Sequence, residues 1–254
     1  MGEVRVYIHT SCYSSYSVVK YLNSKGLLGK VRLVNVVNPL VAIYDNVISV
    51  PWVTVDGEPV ATDPVSGGEI EGIIRGDYRA SIGDPVKAFL DAVLSSSYAS
   101  SIALLHGSLR PLILGFFVKA AIRYPYSGLD VGSVLDSLRE EASSLYESLE
   151  FSLAKVVSVA YIRELYWASK RSIAVDSIKS RIDEVSLTLW LLAKASIGRA
   201  GIPVDPVAGI NRDGVALTVS ILEASWEKIL DRVKREQEAI YSDREYIDIS
   251  LKSI

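Results

Sequence analysis

The chain has 254 residues, of which 49% are apolar and 22% charged, and its formal net charge is −3. This composition is typical of a globular protein that can bury a sizeable core, and it excludes disorder as the main state. The length allows one large domain or two modest ones. Because contacts to phosphate require clustered Lys and Arg, the slightly acidic balance argues against nucleic acid as a partner.

Cys12 is the single cysteine, so no disulfide can form within the chain and the fold is not a disulfide scaffold. A lone thiol is typical of a reducing compartment, and the first residues, MGEVRVYIH, lack the pattern of a secretory signal. We therefore expect a cytoplasmic protein. One Cys, one Met and one Gln make a scarcity of labile residues that is found in thermophiles.

The most apolar stretch, from Ser101 to Ile122, is about as long as a membrane-spanning helix. It contains His106, Arg110 and Lys119, and a spanning helix tolerates few such residues. We predict buried helix here and no membrane partner.

Strand and helix patterns alternate over the first third of the chain. Val4–Ile8 is a β-rich run that predicts a first strand. Apolar residues at helical spacing over Val18–Leu22 predict a helix, which Gly26 ends. The run over residues 31–36 predicts a second strand, parallel to the first because a helix connects them. A short helix over residues 40–45 follows.

Residues 50–60 combine two β-branched runs with Asp56-Gly57 between them. An Asp-Gly pair between such runs is a strong sign of a β-hairpin. Pro59 places the returning strand at the edge of the sheet, because proline cannot donate a hydrogen bond to a neighbouring strand.

From Gly83 onward the strand patterns fade and helical spacing takes over, with Asp84 as a favourable N-cap and Pro85 as a favourable first helical residue. The predicted helices are Pro85–Ser97, Ser101–Tyr124 with a break at Arg110-Pro111, Val131–Tyr166 as one bent helix or two, Asp176–Arg199 and Val215–Ser242, with a proline-rich loop over residues 202–206. The pattern therefore predicts an α/β domain over residues 1–82, or to about residue 98 where its last helix is counted with it, and an all-helical domain over residues 83–254.

Cys12 stands where the first predicted strand passes into the first helix. The N–H groups at a helix N-terminus and the positive end of its dipole favour a thiolate over a thiol, and the thiolate is the nucleophile. A protonated His9 would act in the same direction, and Ser15, one helical turn on, could donate its hydroxyl to the sulfur. A buried structural cysteine, a common fate of a lone thiol, is the other interpretation.

The segment Cys12-Tyr13-Ser14-Ser15, followed by a second strand and by Val50-Pro51 before a hairpin, resembles the thioredoxin fold and, within it, the glutaredoxins. Ser15 stands where dithiol members carry a second cysteine. The resemblance covers less than half of the chain. It implies an α/β thioredoxin-like N-terminal domain, followed here by an all-α helical C-terminal domain, and a cis peptide bond before Pro51.

The same resemblance implies a substrate site around the thiol. Val50 and Pro51 would pair with an extended thiol-bearing peptide, in the manner of strand addition. His9, where glutaredoxins carry Lys, and Tyr13 belong to the implied site, and Asp63 would face the amino group of glutathione. A low-molecular-weight thiol such as glutathione is the implied co-substrate, with no bound cofactor.

The implied function is thiol–disulfide exchange or thiol transfer by a monothiol protein, with Cys12 as nucleophile and a thiol- or disulfide-bearing protein or small molecule as partner. No metal is expected, since Cys12 and His9 alone cannot complete a four-ligand zinc site. A non-catalytic interaction module stays open, because the second cysteine and the Gly-Gly pair of glutaredoxins are missing. A conjugating enzyme stays open too, because the two-domain layout is similar to that of glutathione transferases, and so does a homodimer.

Overall fold

The computed structural model describes residues 2–169, 175–199 and 209–253. Its strands are β1 (Val4–Ile8), β2 (Arg32–Asn35), β3 (Trp52–Val55) and β4 (Glu58–Thr62). Its helices are α1 (Tyr13–Ser24), α2 (Pro39–Tyr44), α3 (Gly67–Arg75), α4 (Pro85–Ser95), α5 (Ser97–His106), α6 (Gly115–Ala121), α7 (Val131–Ala168), α8 (Val175–Lys179), α9 (Glu184–Arg199), α10 (Arg212–Ser242) and α11 (Arg244–Leu251). The predicted loop over residues 202–206 lies outside the described residues.

The four strands form one mixed sheet in the order β2-β1-β3-β4. The predicted parallel pairing of β1 with β2 is confirmed, and β3 runs antiparallel to both β1 and β4. The predicted hairpin is confirmed as well: Asp56 and Gly57 both adopt positive φ, at 51° and 84°, between β3 and β4. β4, which carries Pro59, is an edge strand as predicted.

Helix α3 was not expected from the sequence, because Gly67 and Gly68 weaken the helical pattern at its start. The helix begins instead with a capping box. The Ser66 hydroxyl accepts from the Glu69 amide at 3.2 Å, and the Glu69 carboxylate accepts from the Ser66 amide at 2.8 Å. The spacing of Ser66 and Glu69 was the sequence signal for this helix.

All five helices predicted over residues 83–254 differ from the structure in their bounds, two of them, α4 and α10, only by two or three residues at one end. The stretch predicted as Ser101–Tyr124 is divided between α5, a short 3-10 turn and α6, and most of it is buried, as expected. The stretch Val131–Tyr166 is not divided, but forms the single helix α7, which ends at Ala168. The stretch Asp176–Arg199 divides into α8 and α9, because Asp183 caps a new helix by accepting from the Ser186 amide at 2.8 Å.

The chain forms two compact units that do not follow a single boundary along the sequence. Unit 1 comprises Met1–Ser96, Ile113–Glu140 and Gln237–Ile254, and unit 2 comprises Ser97–Leu112 and Glu141–Glu236. This division differs from the predicted one between residues 82 and 83, because α6, the start of α7 and the residues from 237 onward join unit 1.

The sheet of unit 1 is buried on both faces. On one face, alternate residues of β1 and β3 pack against α1, α3 and the C-terminal helices in a cluster that includes Val6, Val53, Leu22, Ile70 and Ile240. On the other face, the Trp52 ring stacks on Phe117 of α6 at 6.3 Å between ring centroids, and Phe117 meets Phe89 of α4 at 5.5 Å. Because successive strand residues point to opposite faces, β3 contributes to both layers.

Unit 2 is helical in its described residues, and the buried Lys194 forms an ion pair there with a carboxylate that is partly exposed. Lys194 pairs with Glu164, and its ammonium group lies 4.2 Å from the centroid of the Tyr98 ring. Trp190 donates its indole N–H to the other Glu164 oxygen at 2.8 Å. A buried ammonium group has to be paired in this way, since an isolated one is costly to desolvate.

Among the described residues, no single helix is long and apolar enough to cross a membrane. α4 and α5, which are joined by a bend, meet the length and composition required only when they are taken together.

The two adjacent glycines at the start of α3 provide a matched test of packing in unit 1. A Cβ at Gly67 would overlap the ring of Tyr21, whereas a Cβ at Gly68 would meet nothing closer than 3.9 Å. We expect Gly67→Ala to lower the free energy of unfolding by about 1–3 kcal/mol through overpacking. Gly68→Ala should leave it unchanged or raise it by up to about 1 kcal/mol, because alanine favours helix.

Denaturant-induced unfolding of the two variants and the parent protein measures this difference. Equal stability of the two variants would contradict the packing of Tyr21 against Gly67.

Candidate functional site

Cys12 is the N-cap residue of α1, with φ −81° and ψ 124°. Its amide donates to the His9 carbonyl at 2.9 Å, which closes a turn over residues 9–12, and its own carbonyl accepts from Tyr16 at 2.9 Å. The side chain is partly exposed and is not in a disulfide. The sulfur is therefore carried at the start of a 12-residue helix, where main-chain N–H groups lack intrahelical partners.

Val50 and Pro51 lie beside the thiol. Cys12 donates its S–H to the Val50 carbonyl, with Sγ 3.4 Å from the oxygen, and the Val50–Pro51 peptide bond is cis, as the resemblance implied. The carbonyl of Pro51 accepts from the Asp63 amide at 2.9 Å. The structure thus brings together three segments that are far apart in the sequence and that contain four of the predicted site residues.

His9 precedes the thiol and accepts hydrogen bonds at Nδ1. The Ser11 amide lies 3.2 Å and the Ser11 hydroxyl 2.8 Å from this nitrogen. The Ser11 amide therefore uses Nδ1 of His9 as an acceptor, which helps to fix the turn that carries Cys12. A positive charge on His9 stays a prediction.

Ser15 is fully buried, and its hydroxyl accepts from the His9 amide at 3.2 Å. This bond ties the first turn of α1 to the residue that follows β1, and so it helps to fix the turn that carries Cys12. Donation from the Ser15 hydroxyl to the sulfur stays a prediction.

Asp63 is buried and faces α1. Ser14, inside the Cys-x-x-Ser segment, donates its hydroxyl to Asp63 Oδ2 at 3.1 Å. Burial raises the pKa of Asp63 to about 6, although the hydrogen bonds from Ser14 and the Val65 amide and the charge of Arg123 act in the opposite direction. Asp63 therefore changes charge near neutral pH, close to the helix that begins at the thiol.

Arg123, in the turn that follows α6, supports this corner of unit 1. Its guanidinium donates to the carbonyls of Ala120, Ala121 and Pro64, and it pairs with Glu69 at 3.1 Å. Burial acts to raise the pKa of Glu69, but Arg123 and the hydrogen bonds to this carboxylate lower it overall.

Tyr13 is the most exposed of the predicted site residues, with half of its side-chain surface open to solvent. Its ring lies 5.8 Å from that of Tyr16, which in turn meets Tyr246 of α11 edge-on at 5.0 Å. An exposed aromatic ring directly after the thiol provides apolar surface for a partner molecule.

Residues from β2 and the C-terminal helices also reach the turn at residues 9–12, and sequence reasoning missed them. Asn35 donates to the Thr10 hydroxyl at 2.8 Å, Gln237 to the Ser11 carbonyl at 3.1 Å, and Tyr246 to the Thr10 carbonyl at 3.1 Å. Gln237 and Tyr246 lie more than 220 positions from the turn, so no local pattern connects them with it. The only sequence feature that could have drawn attention to either residue is that Gln237 is the single Gln of the chain and lies in a helix rich in charged residues.

Comparison of the chain with protein-family models, with curated proteins and with solved structures finds no match. Among the described residues, no group of three or more His, Cys, Asp or Glu side chains is placed to hold a metal ion.

The raised pKa of Asp63 predicts a pH-dependent stability. Below a pH of about 4 the carboxyl is protonated in both the folded and the unfolded chain, whereas above about 6 it is charged in both. Because the folded chain binds the proton more tightly, the parent protein loses stability as the pH rises from about 4 to 6. We expect a loss of the order of 3 kcal/mol relative to Asp63→Asn, which cannot ionise.

Unfolding of both proteins at several pH values between 4 and 7.5 measures this difference. Asp130→Asn is the control of opposite sign, because hydrogen bonds from Ser133 lower the pKa of Asp130. Parallel curves for the parent and Asp63→Asn would exclude the predicted ionisation.

Proposed function

We propose that the protein is a monothiol, glutaredoxin-like member of the thioredoxin fold that uses Cys12 as the nucleophile in thiol–disulfide exchange or thiol transfer. The observation that carries the proposal is the position of the sulfur, at the N-cap of α1 and 3.4 Å from the Val50 carbonyl. A reactive thiol needs stabilisation of its thiolate and access for a partner. The N-cap position places the sulfur at the positive end of the α1 dipole, and the side chain is partly exposed.

The order of elements in unit 1 supports the fold that we propose. A strand leads to the Cys-x-x-Ser segment and a helix, and a second, parallel strand follows. A Val-Pro pair then enters an antiparallel hairpin. This is the order on which the resemblance to the glutaredoxins rested, and the structure adds that the Val-Pro pair lies beside the cysteine.

The reaction starts with attack by the Cys12 thiolate on one sulfur of a disulfide substrate. A new S–S bond forms to Cys12, the substrate bond breaks, and the leaving sulfur departs as a thiolate that takes up a proton. Since the chain has no second cysteine, an external thiol has to attack the mixed disulfide. That attack releases the substrate part as a new disulfide with the external thiol and restores the Cys12 thiolate.

The surroundings of the thiol suggest how a substrate is held. Once Cys12 ionises, it no longer donates to the Val50 carbonyl, which becomes available to the backbone of an extended peptide. Tyr13 offers apolar contact, and Asp63 would face an amino group of a low-molecular-weight thiol such as glutathione. Exchange of this kind requires a supply of reduced thiol, so a cytoplasmic location is part of the proposal.

The proposal is tested by the pH dependence of Cys12 alkylation with iodoacetamide. An ordinary thiol has a pKa of about 8.5, and we expect the alkylation rate to reach half its maximum at a lower pH. The rate of reaction with a chromogenic aromatic disulfide should reach half its maximum at the same pH as alkylation. Each protein molecule should release one equivalent of the aromatic thiolate. Cys12→Ser is the control for both reactions, and a half-maximal pH of 8.5 or above would defeat the proposal.

A specific contact favours a second function, that of a non-catalytic interaction module. The hydrogen bond from the Cys12 S–H to Val50 belongs to the neutral thiol, and bonding of the neutral form opposes ionisation. In this alternative the thiol is structural, and unit 1 serves as a scaffold for a partner protein.

The two functions differ in the expected effect of Cys12→Ser on binding and on turnover. The interaction module predicts that Cys12→Ser keeps both its stability and any partner that the parent protein captures. The exchange reaction predicts that the parent protein turns over a disulfide substrate when an external thiol is supplied in excess, and that its captured partner is held as a mixed disulfide that Cys12→Ser loses. Absence of turnover in the parent protein, with the partner retained by Cys12→Ser, would favour the interaction module.

A further inference from the structure

The residues that precede the thiol are held by the C-terminal segment, defined here as residues 237–253. Gln237 Nε2 donates to the Ser11 carbonyl at 3.1 Å. The Tyr246 hydroxyl donates to the Thr10 carbonyl at 3.1 Å and lies 3.4 Å from the His9 carbonyl. Three successive carbonyls before Cys12 therefore lie within hydrogen-bond distance of two side chains of this segment.

The C-terminal segment is also fastened between these two contacts, at Asp243, and beyond them, at Ser250 and Ser253. Asn35, at the end of β2, donates from its side-chain Nδ2 to the Ser250 carbonyl at 2.9 Å. Its main-chain N–H donates to the Ser253 carbonyl at 2.8 Å. On α1, Lys20 pairs with Asp243 at 2.9 Å. The segment thus bridges β2 and α1, and both elements lie beside the turn at residues 9–12, since Asn35 bonds Thr10 and α1 begins directly after Cys12.

The contacting groups are removed from water, so the hydrogen bonds cannot be replaced by solvent without opening the packing. Gln237 is 1% and Tyr246 0% exposed. A buried donor or acceptor that loses its partner carries the full cost of its desolvation. The segment and the turn are for this reason expected to keep one fixed arrangement.

The orientation of these carbonyls matters for a negative charge on Cys12. A peptide group is a rigid dipole, so a bond that fixes its carbonyl also fixes its N–H. A carbonyl released from its donor can turn its negative end toward the sulfur and oppose ionisation. Burial and the neighbouring charges of Cys12, Tyr241 and Tyr16 raise the pKa of Tyr246, so its hydroxyl keeps its proton and stays a donor at neutral pH.

We propose that Tyr246 and Gln237 are positioning residues for Cys12, and that attachment of the C-terminal segment to the turn at residues 9–12 sets the reactivity of the thiol. This inference rests on the proposed function. It extends that function to regulation, because any event that detaches the segment lowers the reactivity of the thiol without touching it.

The test compares full-length Tyr246→Phe and Gln237→Met with the parent protein in iodoacetamide alkylation across pH 5–10. Both variants keep approximately the side-chain volume and remove the donor, and Gln237→Met removes the amide oxygen as well. Tyr16→Phe is the matched control, because its hydroxyl bonds Asp243 of the same segment at 3.2 Å and not the turn. Circular dichroism and thermal unfolding establish that each variant is folded.

We expect Tyr246→Phe and Gln237→Met each to move the half-maximal pH upward by about half a unit, which slows alkylation at pH 7 by about threefold. The maximal rate at high pH should stay unchanged, a result that general loss of stability would not give. Tyr16→Phe should follow the parent curve.

Two results would overturn the inference: variant curves that coincide with the parent curve, or a shift of equal size in Tyr16→Phe. Failure of the proposed function is a separate result, since it appears in the parent protein alone as a half-maximal pH of 8.5 or above.

Discussion

The register of the central strands is the constraint on which the candidate site depends. Trp52 of β3 pairs with Tyr7 of β1 on one side and with Thr62 of β4 on the other. The end of β1, the start of β3 and the end of β4 therefore lie side by side at the same end of the sheet. Cys12, Val50 and Asp63 follow or precede these positions by a few residues, so their approach results from strand pairing.

This register is strongly specified because the sheet is buried on both faces. A shift of β3 by one residue would exchange Val53, which packs against α1 and α3, with Trp52, which stacks on Phe117. Both layers would lose their packing at once. The same burial that stabilises the sheet thus fixes the distance between the sulfur and the Val50 carbonyl.

The sequence predicted the parts of this arrangement that depend on local pattern. Alternating β-branched runs and the Asp56-Gly57 turn predicted the strands and the hairpin, and the start of α1 followed from the residues around Cys12. Helix α3 was missed because two glycines concealed a capping box. The hydrogen bond from the Ser11 amide to His9 Nδ1 could not be predicted, because it depends on where that amide points once the turn has formed.

The contacts from Gln237 and Tyr246 lay beyond local reasoning for a different reason. They join residues more than 220 positions apart. In the sequence, a Gln and a Tyr at these positions look like ordinary residues on the solvent-exposed face of a helix. The same holds for the division into two units, which depends on segments of the chain that return to the sheet after a long excursion.

The return of residues 237–253 to unit 1 has a consequence for biosynthesis. During translation the strands and α1 leave the ribosome first, but Ile240 and Tyr246, which belong to the same core, emerge only after unit 2 has been made. The N-terminal part therefore cannot complete its core as an independent domain on the ribosome. The nascent chain carries an unfinished apolar surface through most of its synthesis, and its cysteine gains its final surroundings among the last steps of folding.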